Sequence, residues 1–374
     1  MQNTAQSYLV YELTKSAAYL GYVGFAMGLP SWLFMLYGGV IADRVPRRTL
    51  LIITQTAMMI PAFILAGLVF AHAVKPWHII AVAFFLGVAM SFDAPARQAF
   101  VVELVEPRDL TNAIALNSAM FTAAMVAGPA MAGIIYSAMG PLWCFLLNGL
   151  SFIAVIIALA RMRILHQAPK PAAGSTFSHL KQGLSYTVTE PMVRALILNV
   201  GLIGLFGMSI LTILPDWAVQ VLNGDVKTNA WLLSSRGLGA LAGALLMAAV
   251  SQRGGRGKIW TAGSLLMPLS MLLFAGTRIT WLSLAFIMLM GFGFMISLNT
   301  TNALIQSTVP DGLRGRVMSI YTLTFFGGLP LGSLLVGHLA HAAGAPLTVF
   351  IAACFLLAAS LVILLRLPFI RELD

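Results

Sequence analysis

Long apolar runs, separated by short polar turns, cover most of the chain. A helix needs about 20 residues to cross the roughly 30 Å hydrocarbon core of a bilayer, and eleven runs have about that length. The pattern predicts an all-α integral membrane protein. The predicted spans are residues 16–42, 49–74, 77–99, 111–139, 141–160, 195–219, 230–250, 259–277, 281–304, 317–338 and 345–365.

The chain begins with MQNTAQSYLVYEL, which is too short to be a span of its own. At 1.5 Å per residue this segment would reach about 20 Å as a helix. We therefore expect a bundle of twelve helices whose first helix is truncated.

Composition excludes a soluble fold of this length. Hydrophobic residues make up 59% of the chain and charged residues only 9%, whereas soluble domains average about 25% charged residues. The net charge of +10 does not indicate a nucleic-acid partner, because the basic residues occur in short clusters between apolar runs. We expect the lipid bilayer as the surrounding medium and no nucleic-acid partner.

The basic residues also predict an orientation. Of the 22 Lys and Arg residues, 17 fall on one side of the predicted bundle. Lys15, Lys75, Lys227 and Arg278 fall on the other side, and Arg236 lies within a run. Short cytoplasmic loops carry the Lys/Arg excess in membrane proteins, so we expect the first side, and the C-terminus with it, to be cytoplasmic.

A polar stretch at residues 166–190 divides the chain near its middle, and the two sides of it resemble each other. CFLL occurs at 144–147 and again 210 positions later, DRVPRR at 43–48 has an echo in QRGGRG at an offset of 209, and EPRDLTNAIA at 106–115 faces VPDGLRGRVM at an offset of 203. We predict an N-terminal half at 1–165, a linker at 166–191 and a C-terminal half at 192–374. In transporters built from such repeats, the substrate site lies near the midplane between the halves.

One turn carries a family resemblance. The segment GVIADRVPRR at 39–48 resembles the signature cytoplasmic loop of the major facilitator superfamily, with Pro46 where that loop usually has glycine. The phrases AQSYLVYELT, FDAPARQAF, NAIALNS and LRGRVMS resemble the branch that contains the enterobactin exporter and macrolide efflux pumps. The resemblance covers essentially the whole chain. It implies a bundle of two six-helix halves in the bacterial inner membrane.

The resemblance implies a conformational latch at this turn, in which an aspartate and a basic residue join an acid at the end of the fourth helix. Asp43 can pair with Arg47 or lie at the positive N-terminus of a neighbouring helix. The alternative is that the arginines only hold the loop on the cytoplasmic face. The residues at the matching positions are Gly39, Asp43, Arg44, Arg47, Arg48 and Glu103.

Two further motifs lie within predicted spans. Asp93 and Arg97 are four residues apart, which favours an ion pair on one helix that has either a structural or a functional role. The segment AMVAGPAMAG resembles the Gly-Pro motif of antiporters, with Gly128, Pro129 and Gly133 at matching positions. Ordinary packing of small residues is the alternative for this motif.

Polar residues within spans are candidates for a substrate cavity. Arg236 stands out, because it lies six residues inside a predicted span. It either snorkels to the headgroups or faces the cavity and pairs with an anionic or catecholate-like substrate. The candidates are Gln6, Asn117, Asn148, Arg236 and Asn299.

The sequence shows no signature of an enzyme. The six histidines have no metal-type spacing with a carboxylate, and no phosphate-binding Gly-Lys loop is present. We expect no cofactor and no metal, and an ion gradient rather than ATP as the energy source.

Together these features predict a monomeric secondary transporter that exports a bulky amphipathic small molecule, a siderophore or a drug, in exchange for protons. The alternatives are an importer or lipid mover of the same fold, or a membrane sensor or assembly protein that does not transport.

Overall fold

A computed structural model gives the structure of residues 1–162, 176–250 and 254–372. Within these ranges it does not describe the side chains of residues 35–40, 42–44, 107, 111, 176–181 and 372. The described secondary structure is helical, without strands. The α-helices are α1 (Gln2–Thr14), α2 (Ala17–Arg44), α3 (Arg47–Phe70), α4 (Pro76–Leu104), α5 (Leu110–Met139), α6 (Pro141–Arg161), α7 (Thr176–Thr189), α8 (Pro191–Leu202), α9 (Leu214–Asp216), α10 (Val226–Val250), α11 (Arg256–Gly276), α12 (Thr280–Thr308), α13 (Asp311–Ala343) and α14 (Ala345–Arg366).

The helices confirm the predicted class of an all-α membrane protein. In the described part of the chain, 10 helices are long and apolar enough to cross a membrane, and each overlaps one predicted span. The helix α2 coincides with the remaining predicted span, 16–42. The short helix α1 has 13 residues, so the count of twelve spans stays a prediction.

One span is not a regular helix. Between Pro191 and Val221 the chain passes from α8 through a π-helical turn at Ile203–Met208, a 3₁₀ turn at Ser209–Ile213, the short α9 and a second π-helical turn at Trp217–Val221. Such π turns interrupt the regular hydrogen-bond ladder and occur often at functional sites. The apolar periodicity of the sequence gives no sign of this irregularity.

Two tight turns repeat across the chain. Gly140, at φ 89°, separates α5 from α6, and Gly344, at φ 86°, separates α13 from α14. Glycine adopts this left-handed backbone at little cost, and a proline follows within two residues in each case. These two equivalent turns agree with the predicted repeat of the N-terminal half in the C-terminal half.

Buried apolar side chains form two large clusters. One consists mainly of residues from α8 to α14, including Trp217 and Trp260. The other consists mainly of residues from α1 to α6, including Tyr11 and Phe145. The predicted boundary at 166–191 itself stays a prediction, because part of it lies outside the described residues.

Successive long helices place their connections at alternate ends of the bundle. We call the end with the turn at Val45 and Pro46 the basic end, since Arg47, Arg48 and most of the other basic residues that the structure describes lie there. We call the end with Gly140 and Gly344 the opposite end.

We call α1 to α6 and α8 to α14 the two sets of helices. Glycines bring the two sets into contact near the opposite end. A methyl group added at Gly337 of α13 would lie 2.6 Å from the Cα atom of Gly21 in α2. A methyl group added at Gly133 of α5 would lie 2.4 Å from Cβ of Ala230 in α10. Small residues allow such close approach between helices in membranes. The two sets of helices therefore meet along α2 with α13 and along α5 with α10.

The basic end of α5 has different surroundings. From Asn112 to Phe121 every side chain except Ala113 is exposed. A helix packed in a bundle buries one face, whereas this segment buries none. Among the described residues, this part of α5 therefore has no helix packed along a face, whereas its other end packs against α10.

The glycine contact predicts opposite effects for two matched substitutions. We expect Gly337→Ala to lower the free energy of unfolding by about 1–3 kcal/mol, because the new methyl group meets backbone atoms that cannot yield. Gly67→Ala, in α3, meets nothing within 4 Å and should be neutral or slightly stabilising. Unfolding by SDS titration in mixed micelles measures both. Equal effects of the two substitutions would contradict the contact.

Candidate functional site

A cavity of about 300 Å³ lies between the two sets of helices, near the middle of α5 and beside the first half of α10. Its walls come from α1, α5, α10 and the irregular span that begins with α8. The lining residues are Met1, Asn3, Thr4, Ser7, Met125, Pro129, Leu211, Pro215, Asn229, Leu233 and Arg236.

Arg236 contributes the only charged side chain among these lining residues. Since α10 begins at Val226, Arg236 lies about 15 Å along the helix. It is 4% exposed, so it does not reach the surface as a snorkelling arginine would. Its Nη1 atom lies 3.3 Å from the sulfur of Met208, and its guanidinium lies 6.0 Å from the ring centroid of Phe294. Among the described residues, no carboxylate forms an ion pair with it.

Asn229 is the second buried polar group on the same helix. It is fully buried, and neither its amide nitrogen nor its amide oxygen has a hydrogen-bond partner among the described residues. The apolar pattern does not single out this residue, because the predicted span begins at residue 230 and leaves Asn229 in the turn before it. The asparagine beside an apolar run was a signal that could have found it.

The other predicted cavity residues lie elsewhere. Gln6 donates from Nε2 to the carbonyl oxygen of Ile79 at 3.0 Å. Asn148 donates from Nδ2 to Oε1 of Gln2 at 2.6 Å. Asn117 is exposed and Asn299 is half-buried. None of these four residues lines the cavity that contains Arg236.

The Gly-Pro motif of α5 borders the cavity. Pro129 is part of the wall, and Gly133 makes the close approach to Ala230 described above. At Gly128 an added methyl group would meet only the Met1 nitrogen, at 3.4 Å. Within this motif, Gly133 is therefore the glycine that the helix contact requires.

An ion pair joins α3 and α4 at the basic end. Arg47 donates from Nη1 to Oε1 of Glu103 at 2.8 Å and to the carbonyl oxygen of Ala99 at 3.2 Å. Arg48 donates to the carbonyl oxygen of Ala160. Gly39 lies in α2, but neither its surroundings nor the side chains of Asp43 and Arg44 belong to the described part, so the structure gives no partner for the predicted latch aspartate.

Asp93 is the centre of a second polar cluster, between α3 and α4. Its Oδ1 atom accepts hydrogen bonds from Thr54 Oγ1 and Gln55 Nε2, both at 2.8 Å. Its Oδ2 atom pairs with Arg97 Nη2 at 2.7 Å. Asp93 is buried, and donors to both oxygens satisfy its charge. Thr54 and Gln55 thus fix the position of α3 against α4.

Polar contacts also join the two sets of helices at the opposite end. Gln220 donates from Nε2 to the hydroxyl of Tyr11 at 3.1 Å. The hydroxyl of Tyr22 lies 3.2 Å from Nε2 of His338. A cavity of about 440 Å³ at this end borders Lys15, Asp216, Arg278 and His341. These bonds close the opposite end above the central cavity.

Within the described residues, no group of three or more His, Cys, Asp or Glu side chains is placed to hold a metal ion.

Comparison with known families decides the classification. A family model described as "Transmembrane secretion effector" matches residues 1–374. The chain belongs to this family of major facilitator transporters. The predicted resemblance to the superfamily is thereby confirmed, and membership points to membrane transport.

Two proteins that are similar to this chain have names that refer to transport. The "Staphyloferrin A transporter" of Staphylococcus aureus is 26% identical over 340 residues, which cover 90% of this chain and 85% of the relative. The "Multidrug efflux pump Tap" of Mycolicibacterium fortuitum is 25% identical over 379 residues, which cover 98% of this chain and 91% of the relative.

Solved structures share the fold. The nucleoside transporter NupG has a TM-score of 0.75 at 14% identity, covering 97% of this chain and 93% of that one. A bacterial homologue of the human lysosomal transporter Spinster, in an inward-facing and unoccupied conformation, has a TM-score of 0.73 at 13% identity, covering 99% and 94%. At these identities the likeness concerns the fold alone.

The Asp93 cluster predicts a substitution effect on stability. We expect Asp93→Asn to lower the free energy of unfolding by about 1–3 kcal/mol, because the buried donors of Thr54 and Gln55 lose part of their acceptor. The control Asp109→Asn removes an exposed charge beside Arg108 and should change it by less than about 1 kcal/mol. SDS titration in mixed micelles compares the two. The interpretation fails if both variants match the unsubstituted protein.

Proposed function

We propose that the protein is a secondary active transporter that exports a bulky amphipathic small molecule, a siderophore or a drug. The observation that carries this proposal is the cavity of about 300 Å³ between the two sets of helices, with the buried Arg236 in its wall. Substrate sites of such transporters lie near the midplane where the repeats meet. The names of the relatives, a siderophore transporter and a multidrug efflux pump, support this substrate range.

The proposed transport cycle opens the two ends of the bundle in turn. The halves, residues 1–165 and 192–374, would rock about the cavity. Contacts such as Gly21 with Gly337 and Gln220 with Tyr11 support a closed opposite end. With the basic end cytoplasmic, a bundle closed at the opposite end is the state that loads substrate from inside the cell.

Proton antiport supplies the energy in this proposal. The exchange needs a carboxylate whose surroundings change as the halves rock. Asp216 fits this requirement, since it is buried and borders the cavity at the opposite end together with Lys15, which follows α1 on the other set of helices. We place the protein in the bacterial inner membrane as a monomer with a cytoplasmic C-terminus.

The proposal predicts transport into everted membrane vesicles. A fluorescent drug or siderophore conjugate should accumulate in energised everted vesicles that contain the protein, and a protonophore should abolish the accumulation. Vesicles without the protein give the background.

The vesicle experiment also separates the alternatives. Uptake only into right-side-out vesicles would indicate an importer. Flux at the background level for every siderophore and drug tried would overturn the proposal and favour a protein that does not transport.

A further inference from the structure

Two buried polar side chains of α10 lack a full set of protein partners, and both line the central cavity. Asn229 has no hydrogen-bond partner among the described residues for either amide atom. Arg236 has the thioether of Met208 and the ring of Phe294 as neighbours, and both are weak partners for a guanidinium. Buried polar groups are normally satisfied, so this pair indicates that something else completes their bonding.

The two groups face the same way. They are seven residues apart, or close to two helical turns, so they lie on one face of α10 about 10 Å apart along its axis. Apolar walls stand beside them, formed by Met125, Pro129 and Leu233. The cavity thus offers a cation at one point, an amide at a second point and an apolar surface between.

The charge at the site selects the sign of the ligand. Arg236 is the only charged side chain in the lining, and a buried charge without a counter-charge is unfavourable. A ligand with one negative charge would neutralise it, whereas a cationic ligand would add repulsion. The planar fork of the guanidinium matches both oxygens of a carboxylate.

We propose that the cavity binds an amphipathic carboxylate, with the carboxylate on Arg236 and a second polar group of the ligand on Asn229. The inference rests on the proposed function for its biological meaning, because it names the chemical class of the exported molecule. Binding itself can be measured without any transport.

The test uses matched pairs of probes with the purified, full-length protein in lipid nanodiscs. Each pair consists of a fluorescent amphiphile with an ω-carboxylate and its primary amide, for example dansyl-aminooctanoic acid and dansyl-aminooctanamide, with naphthyl and coumarin pairs beside it. Nanodiscs without protein give the partition background. We expect the acid to bind at least 10-fold more tightly than the amide, as a charge-assisted bidentate pair implies.

Variants assign that preference to the two residues. Arg236→Gln should reduce the acid-to-amide ratio to about one. Arg236→Lys keeps the charge without the planar fork and should give an intermediate ratio. Asn229→Asp adds a negative charge to the wall and should weaken the acid more than the amide, so that the acid-to-amide ratio falls. Asn229→Ala should weaken both probes equally.

Each outcome bears on the inference. Equal binding of acid and amide, a preference that Arg236→Gln leaves unchanged, or no saturable binding of any of the acids would overturn it. A variant counts only if it elutes as a single species and still binds the amide; if Arg236→Gln does not meet this condition, Arg236→Lys and Asn229→Asp decide. Acid preference in a protein without flux in vesicles would support the binding site and refute the transport proposal, so the two failures are distinguishable.

Discussion

The absence of water from the hydrocarbon core is the constraint on which this structure depends. Inside it, each polar group must find its partner in the protein or in a ligand. Asp93 shows the first solution, with donors to both oxygens from α3 and from its own helix. Asn229 and Arg236 show the second, because the described protein supplies too few partners for them. The contrast between a satisfied cluster and an unsatisfied pair separates the groups that hold helices together from those that await a ligand.

Close packing without large side chains is the other requirement of an interface that must open and close. Gly21 and Gly337 let two backbones touch at the opposite end, and Gly133 does the same against Ala230. Such contacts depend on the fit of small side chains. The helices can therefore separate without the breaking of a strong ion pair. The Arg47–Glu103 pair lies within one set of helices, so it can persist while the two sets move relative to each other.

The fold was accessible from the sequence because hydropathy reports directly on helices in a bilayer, and each predicted span overlaps a helix. The site was accessible only in part. Arg236 stands out as a charge within an apolar run, whereas Asn229 lies one residue outside the predicted span and was lost at the boundary. Thr54 and Gln55 reach Asp93 from another helix, and no spacing along one helix reveals such a partner. For the same reason Gln6, predicted for the cavity, instead bonds to α4.

A guanidinium without a nearby acid, about 15 Å along a membrane-spanning helix, also has an electrical consequence. In the proposed cycle the cavity opens first to one side of the membrane and then to the other. The part of the membrane potential that acts on this charge changes between the two states. Each elementary charge that crosses the full potential gains or loses about 2.3 kcal/mol per 100 mV. In the proposed cycle, Arg236 contributes a positive charge to the empty cavity, and a bound anion cancels that contribution. Through this residue, the resting voltage would then act mainly on the unloaded return step of the cycle.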